Sequence, residues 1–318
     1  MTPELTIVIP VRDRAALLPR TLHSVAATAY RPLHLVLIDN GSTDASMAVC
    51  QKFADTHATT DFTIDVLSEP VAGAPRARNR GLAVCRTEYV YFFDSDDELS
   101  DCFVGDVVED LRRKPCDVLC VPVVQVVDGK ELVRTYEPTA RPEAHILNAM
   151  LSTCTMIFRT EWLRRLGGWD EQMPIWQDWE LGLRVLLAEP NLRWRTDRAY
   201  HRLYVHPDSI TGASFAQTYP RLLVAMQHAL ADLQLPSNSL ILSSYQRSRC
   251  LRALYFRSMI FSGKLRCEGS QSGEKAFLDT ALQCLPHPLW HIRTMGQFLK
   301  LYSALGGRGA WRIALAML

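Results

Sequence analysis

Within the first 105 residues, short apolar runs at 5–10, 33–39, 62–67 and 89–93 alternate with stretches of helical periodicity at 14–27, 44–56 and 74–85. This alternation is the tightest constraint the chain carries. Runs such as Ile7-Val8-Ile9 and Leu35-Val36-Leu37-Ile38 have no polar face to offer water. They belong in a parallel sheet covered on both sides by helices, an α/β doubly wound architecture. In open sheets of this kind ligands bind beyond the carboxyl ends of the strands. Those ends read Pro10-Val11-Arg12-Asp13, Asp39-Asn40-Gly41-Ser42, Ser68-Glu69-Pro70 and Asp94-Ser95-Asp96-Asp97. Acidic side chains are thus gathered at one edge by topology rather than by sequence proximity.

Past residue 106 the pattern loosens. Residues 118–127 and 131–135 read as strands around an Asp128-Gly129 turn. A strand at 153–158 leads into a short helix at 160–166, closed by Gly167-Gly168. A helix at 178–188 precedes an extended segment through Tyr204. From 216 to 318 strand signals fade, and three or four amphipathic helices are expected, punctuated by Pro220, Pro236, Pro286 and Pro288.

Composition narrows the function classes. Lys+Arg and Asp+Glu nearly cancel, at 35 and 34, so no basic field exists to hold a nucleic-acid backbone. With 48% hydrophobic and 22% charged residues, the chain can fill a sizeable core and is neither disordered nor fibrous. No apolar run approaches the roughly 18 residues of a spanning helix. The best, 118–127, is broken by Pro122 and Gln125. The opening residues lack a basic region and a small-residue cleavage site, so no signal peptide is expected. Nine cysteines with scattered spacing read as thiols in a reducing compartment rather than as disulfides or a zinc site, which points to the cytoplasm.

Three motifs carry chemistry. Tyr91-Phe92-Phe93-Asp94-Ser95-Asp96-Asp97 ends an aromatic strand in a D-x-D turn, which places two carboxylates near one point. Hard oxygen donors with open positions suit Mn2+ or Mg2+ shared with phosphate oxygens. Such an ion makes a diphosphate a better leaving group. An acidic surface turn would carry the same letters. Asp39-Asn40-Gly41-Ser42-Thr43-Asp44 follows the second strand. A carboxylate there can accept a hydrogen bond from a base imide N–H, and Gly41 lets the backbone approach closely. The plain alternative is a strand–turn–helix cap, with Ser42 or Asp44 opening the second helix. Ala77-Arg78-Asn79-Arg80-Gly81 lines a helix from which Arg78 can reach a base or phosphates, although a solvated face accounts for Arg76, Arg78 and Arg80 as well.

Together, and in order after Ile7-Val8-Ile9-Pro10-Val11, these motifs resemble the family 2 glycosyltransferases, enzymes with the GT-A fold. The family pattern runs P-x-Y-N, D-D/N-G-S-x-D, A-R-N-x-G and D-S-D-D. The corresponding segments here are PVRD, DNGSTD, ARNRG and DSDD. Gly167-Gly168-Trp169-Asp170-Glu171 and Gln177-Asp178-Trp179-Glu180-Leu181 are similar to the family's G-G-F-D-E and E-D-x-D/E-L segments. Tyr204-Val205-His206-Pro207-Asp208-Ser209-Ile210-Thr211 is similar to Y-x-x-H-x-x-S-x-S/T.

The resemblance implies a GT-A catalytic domain over 1–215, with a nucleotide-binding part (1–105) and an acceptor-binding part (106–215), followed by a helical extension over 216–318. It implies inverting transfer of one sugar from a nucleotide diphosphosugar, a UDP-sugar foremost, to a hydroxyl of a saccharide or lipid-linked acceptor. Pro10, Val11, Arg12, Asp39, Arg78, Asp94 and Ser95 would hold the nucleotide. Asp96, Asp94 and His206 would hold Mn2+ or Mg2+. Asp178 would be the general base, and a carboxylate at a helix start amid Trp176 and Trp179 suits that role. A plain N-cap at Asp178, with Glu180 as the base, is the competing assignment.

The chain departs from the pattern at several points. Arg12 and Asp13 stand where the family has Tyr and Asn, Gln177 replaces the acidic neighbour of the base, and Asn40 replaces a second Asp. The Q-x-x-R-W signature of processive synthases is missing, so one sugar per encounter is expected. Neither G-x-G-x-x-G, a P-loop nor a G-x-S-x-G elbow occurs, which argues against dehydrogenases, P-loop NTPases and α/β-hydrolases. A GT-A-like binding module without catalysis and a sugar nucleotidyltransferase are the alternative classes. Residues 287–318 mix apolar groups with His291, Arg293, Lys300, Arg308 and Arg312. They fit a peripheral contact at the inner face of the membrane, or packing on the catalytic domain or on a second copy in a homodimer.

Overall fold

The computed structural model describes residues 4–127, 129–134, 140–204, 214–234 and 242–318. The chain divides into two compact units that interleave along the sequence. The first comprises Met1–Pro138, Leu151–Glu171 and Pro190–His206; the second comprises Thr139–Met150, Gln172–Glu189 and Pro207–Leu318. A linear division at residue 215 therefore differs from the packing, because two short segments from the middle of the chain fold with the helical tail.

The strands, all in the first unit, are β1 (Leu5–Val11), β2 (Leu33–Asp39), β3 (Phe62–Ser68), β4 (Tyr89–Phe92), β5 (Glu98–Leu99), β6 (Val118–Cys120), β7 (Val123–Val127), β8 (Lys130–Arg134), β9 (Met156–Arg159), β10 (Leu192–Trp194) and β11 (His201–Tyr204). Seven of them form a sheet in the order β10-β6-β9-β4-β1-β2-β3, and the other four a sheet in the order β5-β11-β7-β8. In the large sheet β1 pairs in parallel with both β2 and β4, with Val11 opposite Asp39 and Val8 opposite Phe92. Only β9 runs against its neighbours.

Strand order reverses at β1: the chain steps outward to β2 and β3, then returns to place β4 on the other side. The carboxyl ends of β1, β2 and β4 therefore lie side by side at a topological switch point, where open α/β sheets take their ligands.

Helices α1 (Leu18–Ala26), α2 (Ser46–His57), α3 (Ala74–Val84) and α4 (Phe103–Arg113) cover the sheet. In α4, Phe103, Val107 and Leu111 recur every fourth residue and are buried in one core with Tyr91 and Phe93.

Three local readings change. The helix expected from residue 14 begins at Leu18, because the Leu17 and Leu18 amides both bond to the Arg14 carbonyl in a separate turn. The run at 118–127 is two strands in two different sheets. Pro122 between them has no N–H for a continuing ladder, so the chain crosses over there. The strand expected from 153 opens as a single 3₁₀ turn, Thr153–Thr155, before β9. Of the Asp128-Gly129 turn, Gly129 takes φ +74° and Asp128 lies outside the described residues.

Also in the first unit, α6 spans Thr160–Leu166 after α5 (Pro142–Asn148) of the second. The second unit adds α7 (Gln177–Leu187), α8 (Phe215–Gln234), α9 (Ser244–Cys267), α10 (Gln271–Cys284), α11 (Trp290–Ala304) and α12 (Ala310–Ala316). From 216 on, the described residues thus hold five helices. α9 is the axis: α5, α8, α10, α11 and α12 all pack on it, and it is buried nearly all round. A Cβ on Gly263 of α9 would stand 2.2 Å from the Lys300 carbonyl of α11, so only glycine permits that crossing. Among the described residues no helix is long and apolar enough to cross a membrane.

Candidate active site at the sheet edge

Asp39 ends β2 and is buried, only 4% exposed. Its Oδ2 accepts the Ser42 amide at 3.3 Å, while Oδ1 is buried without a hydrogen-bond partner among the described residues. A buried carboxylate oxygen left unsatisfied is costly, so it calls for a partner, an ordered water or a group that arrives with a ligand. The flanking loops are tied down. Asp13, at φ +49°, accepts the Thr43 amide at 2.7 Å, and Asp44 accepts the amides of Ala15 and Ser46 at 3.0 and 2.9 Å. Asp44 thus ties the helix start to the loop after β1 rather than capping α2 formally, whose N-cap is Ala45. Asn40 is a clamp: it donates to the Glu69 and Val71 carbonyls and accepts the Gly73 amide, holding the loop after β3. An aspartate at this position could not donate those two bonds.

The acidic loop after β4 sorts its carboxylates into different roles. Asp94 faces Arg78, with Nη2 donating at 2.9 Å, and Cys154, whose thiol donates to the other oxygen at 3.4 Å. Asp96 faces Arg14 at 3.5 Å, and its carbonyl accepts from Arg20. Ser95 is buried between them. Asp97 is buried as well and accepts the Tyr204 amide at 2.9 Å, a contact made because β11 pairs with β5. Burial, and then the charge of Asp94, pushes the Asp97 carboxyl up to about 9. Burial and the same two carboxylates hold the Cys154 thiol protonated well above its usual range.

Donor atoms of Asp94, Asp97 and Cys154 lie within 4.8 Å of one another, a set that could hold a metal ion. Two carboxylates forced together fit a divalent cation, which would offset their repulsion and let both ionise; the thiol is the softer, atypical member of the set.

Arg78, on α3, is buried, and its guanidinium stacks 4.5 Å from the centre of the Trp169 ring. Trp169 is in turn fixed by Asn79, which accepts the Trp169 amide at 2.9 Å and donates to its carbonyl at 2.8 Å. This turn requires glycine before it: Gly168 has φ +65°, and a Cβ there would meet the Asn79 Oδ1 at 2.7 Å. Arg78 is therefore a buried, oriented cation rather than part of a solvated face, since Arg76 pairs separately with Glu171 at 2.8 Å. Pro10 and Val11 end β1, and the exposed Arg12 stands 3.9 Å from Asp13.

Asp178 belongs to the second unit, in the first turn of α7 after Trp176 in left-handed conformation (φ +56°). It is half-buried, and its Oδ1 accepts the Trp179 amide at 2.9 Å. Helix N-termini favour the ionised form of a carboxylate. Glu180 is fully buried and held through both oxygens by Arg184, so the rival base is occupied in an ion pair. His206 lies outside the described residues.

At the sheet edge the structure thus brings together Arg78, Asp94 and, beside them, Asp97. Cys154, Trp169 and Asn79 were not singled out for a role in the sequence. Trp169 sits inside a recognisable glycine-led segment and could have been found there; Cys154 carries no sequence signal, because it reaches Asp94 through the turn before β9, which pairs with β4.

Comparison with known proteins agrees with this arrangement. The family model for glycosyl transferase family 2 matches residues 6–167. A pre-mycofactocin glycosyltransferase of Mycobacterium tuberculosis is 28% identical over 202 residues, which cover 60% of this chain and 41% of that protein. Glycosyltransferase GlyA of Streptococcus pneumoniae is 33% identical over 111 residues, 35% of this chain and 15% of GlyA. The chain thus spans well under half the length of these curated relatives. Among solved structures, S. aureus TarS 1–349 in complex with UDP-GlcNAc superposes with a TM-score of 0.73 at 17% identity, covering 98% of this chain and 90% of that one. A mannosyltransferase from Pyrobaculum calidifontis, solved with GDP-Man and Mn2+, gives 0.60 at 15% identity over 100% of this chain and 84% of that one. With the fold shared and half the chain matched by the family's own pattern, this protein belongs to glycosyl transferase family 2.

Proposed function

We propose that the chain transfers one sugar from a nucleotide diphosphosugar, a UDP-sugar foremost, to a hydroxyl of a saccharide or lipid-linked acceptor, with inversion at the anomeric carbon. The observation that carries this reading is the unsatisfied Oδ1 of Asp39 at the same sheet edge as the Arg78–Asp94 pair. An N–H of the nucleotide base would complete Asp39, and Pro10, Val11 and Arg12 would flank it. Arg78 and Ser95 would steady the ribose and phosphates. The neighbours crystallised with UDP-GlcNAc and with GDP-Man and Mn2+ support a donor of this class.

Asp94 and Asp97, with Cys154, would hold Mn2+ or Mg2+, and Asp96 and His206 remain proposed ligands on the strength of the family pattern. A bound cation would neutralise charge on the leaving diphosphate. Asp178 would take the proton of the acceptor hydroxyl as that oxygen attacks; it stands in the first turn of α7, and Glu180 is already engaged by Arg184. Nine unpaired thiols suit a reducing, cytoplasmic setting.

Calorimetric titration with UDP, GDP and their sugars, with and without Mn2+, tests the reading. Saturable nucleotide binding that Asp39→Asn weakens at least about tenfold is expected. Binding without any metal-dependent turnover would favour a catalytically silent module, and no nucleotide binding at all would refute the assignment.

A further inference from the structure

The second unit contains a cavity of about 550 Å³ walled by α9, α11 and the loop before α12. Its lining is mainly apolar, with Trp176, Phe215, Phe261 and Trp311 among the walls, yet Arg257, Lys264 and Arg308 all reach it. Arg257 is 7% exposed. Its guanidinium carbon lies 4.4 Å from the centre of the Trp176 ring and 5.1 Å from that of Phe261, and one Nη donates to the Ile146 carbonyl. Its Nε is buried with no hydrogen-bond partner, and the Ser303 hydroxyl, on the same wall, is buried and unpartnered too. Lys264 rests its ammonium 4.5 Å from the Phe215 ring centre.

Among the described residues the only carboxylate on the lining is Glu268, whose two oxygens already accept the Phe215 and Ala216 amides. Three cations thus face one anion around the cavity among the described residues: Arg257 buried at its base, Lys264 half-buried and Arg308 exposed at its mouth. Buried charge without a counterion is expensive in such surroundings. Burial pulls Arg257 down to about 9; burial and the charge of Arg257 hold Lys264 below its ordinary value, against the opposing charge of Glu268.

We infer that this cavity is a binding site for an amphiphilic phosphate: a phosphate or diphosphate headgroup held by Arg257, Lys264, Arg308 and the Ser303 hydroxyl, with an apolar body against the aromatic wall. The size decides for a body, since pockets of this volume take molecules far larger than a bare anion. The charge decides for phosphate, since a lining with two net positive charges matches a dianionic headgroup better than a monoanionic carboxylate. The inference stands apart from the donor site of the first unit, so either can fail alone.

The test is calorimetric titration of the full chain with decyl phosphate below its micelle threshold, beside inorganic phosphate, decanol and decanoate. Saturable one-to-one binding of decyl phosphate is expected, at least about tenfold tighter than any of the other three. Lys264→Met and Arg308→Gln should each weaken it about tenfold, together more, with an unchanged melting temperature. Arg257→Met tests the deepest cation but risks misfolding, so the two surface-side variants keep the test decisive. In a parallel arm, phosphatidylcholine vesicles doped with phosphatidic acid distinguish the source. Co-sedimentation that the double variant loses assigns a bilayer headgroup; calorimetric binding without sedimentation assigns a free amphiphile. Equal affinity for decyl phosphate and decanol, or a double variant that binds decyl phosphate like the wild type, overturns the inference.

Discussion

The two units differ in what surrounds their most exacting buried charges. In the first, Asp39, Asp94 and Asp97 converge because parallel strands all deliver their carboxyl ends to one edge, and neighbours on the same edge already answer part of their hydrogen-bonding demand. In the second, Arg257 and Lys264 are enclosed by aromatic rings around a central helix, with no carboxylate answering Arg257 among the described residues. A sheet edge supplies backbone amides to satisfy an anion; a helix bundle has spent its amides internally except at helix starts, and around Arg257 it offers ring faces and a carbonyl. The second unit accordingly answers its buried acids, Glu143 and Glu180, with arginines, whereas Arg257 has ring faces and one carbonyl.

The largest expected effect belongs to Asp178, the proposed base. Asp178→Asn should lower turnover by about 10²–10⁴-fold with donor affinity unchanged. Turnover near wild type would remove Asp178 as the base.

Next is the wall behind Arg78. Trp169→Ala should destabilise the protein by about 3–5 kcal/mol in urea denaturation and raise the donor KM, because Arg78 loses the ring that orients it. A loss confined to stability, with KM unmoved, would make Arg78 a packing residue.

Acid should probe both units through buried neutral imidazoles. Burial holds His145 down to about 4, while its Nε2 bonds the Trp179 carbonyl at 2.8 Å; burial holds His201 down to about 3. A histidine whose folded-state value is depressed contributes stability above its ordinary value of 6.5. That stability is lost as pH falls from there through 4. For His145 the span corresponds to about 3 kcal/mol. Urea midpoints should drop between pH 7 and pH 4, and His145→Gln, neutral throughout, should drop less. An equal drop would show that His145 is accessible to protons in the folded chain.

Gly168→Ala should cost about 1–3 kcal/mol, from the left-handed backbone and the approach to Asn79. The smallest effect belongs to Arg12→Ala, within about 0.5 kcal/mol in stability, since the side chain is exposed and only 3.9 Å from an exposed Asp13. A marked change in nucleotide affinity in that variant would place Arg12 in direct contact with the donor.

How much of this was legible depended on sequence distance. The run Leu35-Val36-Leu37-Ile38-Asp39 announces its strand, its burial and the carboxylate at its end, because both periodicity and terminus lie within five residues. Residues 118–127 announce strand but conceal that Pro122 sends the two halves into different sheets.

The sequence by itself determined the doubly wound sheet, the acidic strand ends and the family, since each is written in short segments whose meaning is local. Only the tertiary structure decided which acid meets which partner: Tyr204 at Asp97, Cys154 beside Asp94, Asn40 as a clamp, and the cations within the helical unit. Those outcomes depend on groups from separate elements sharing a low-dielectric space, where one neighbour within a few ångströms outweighs any local propensity.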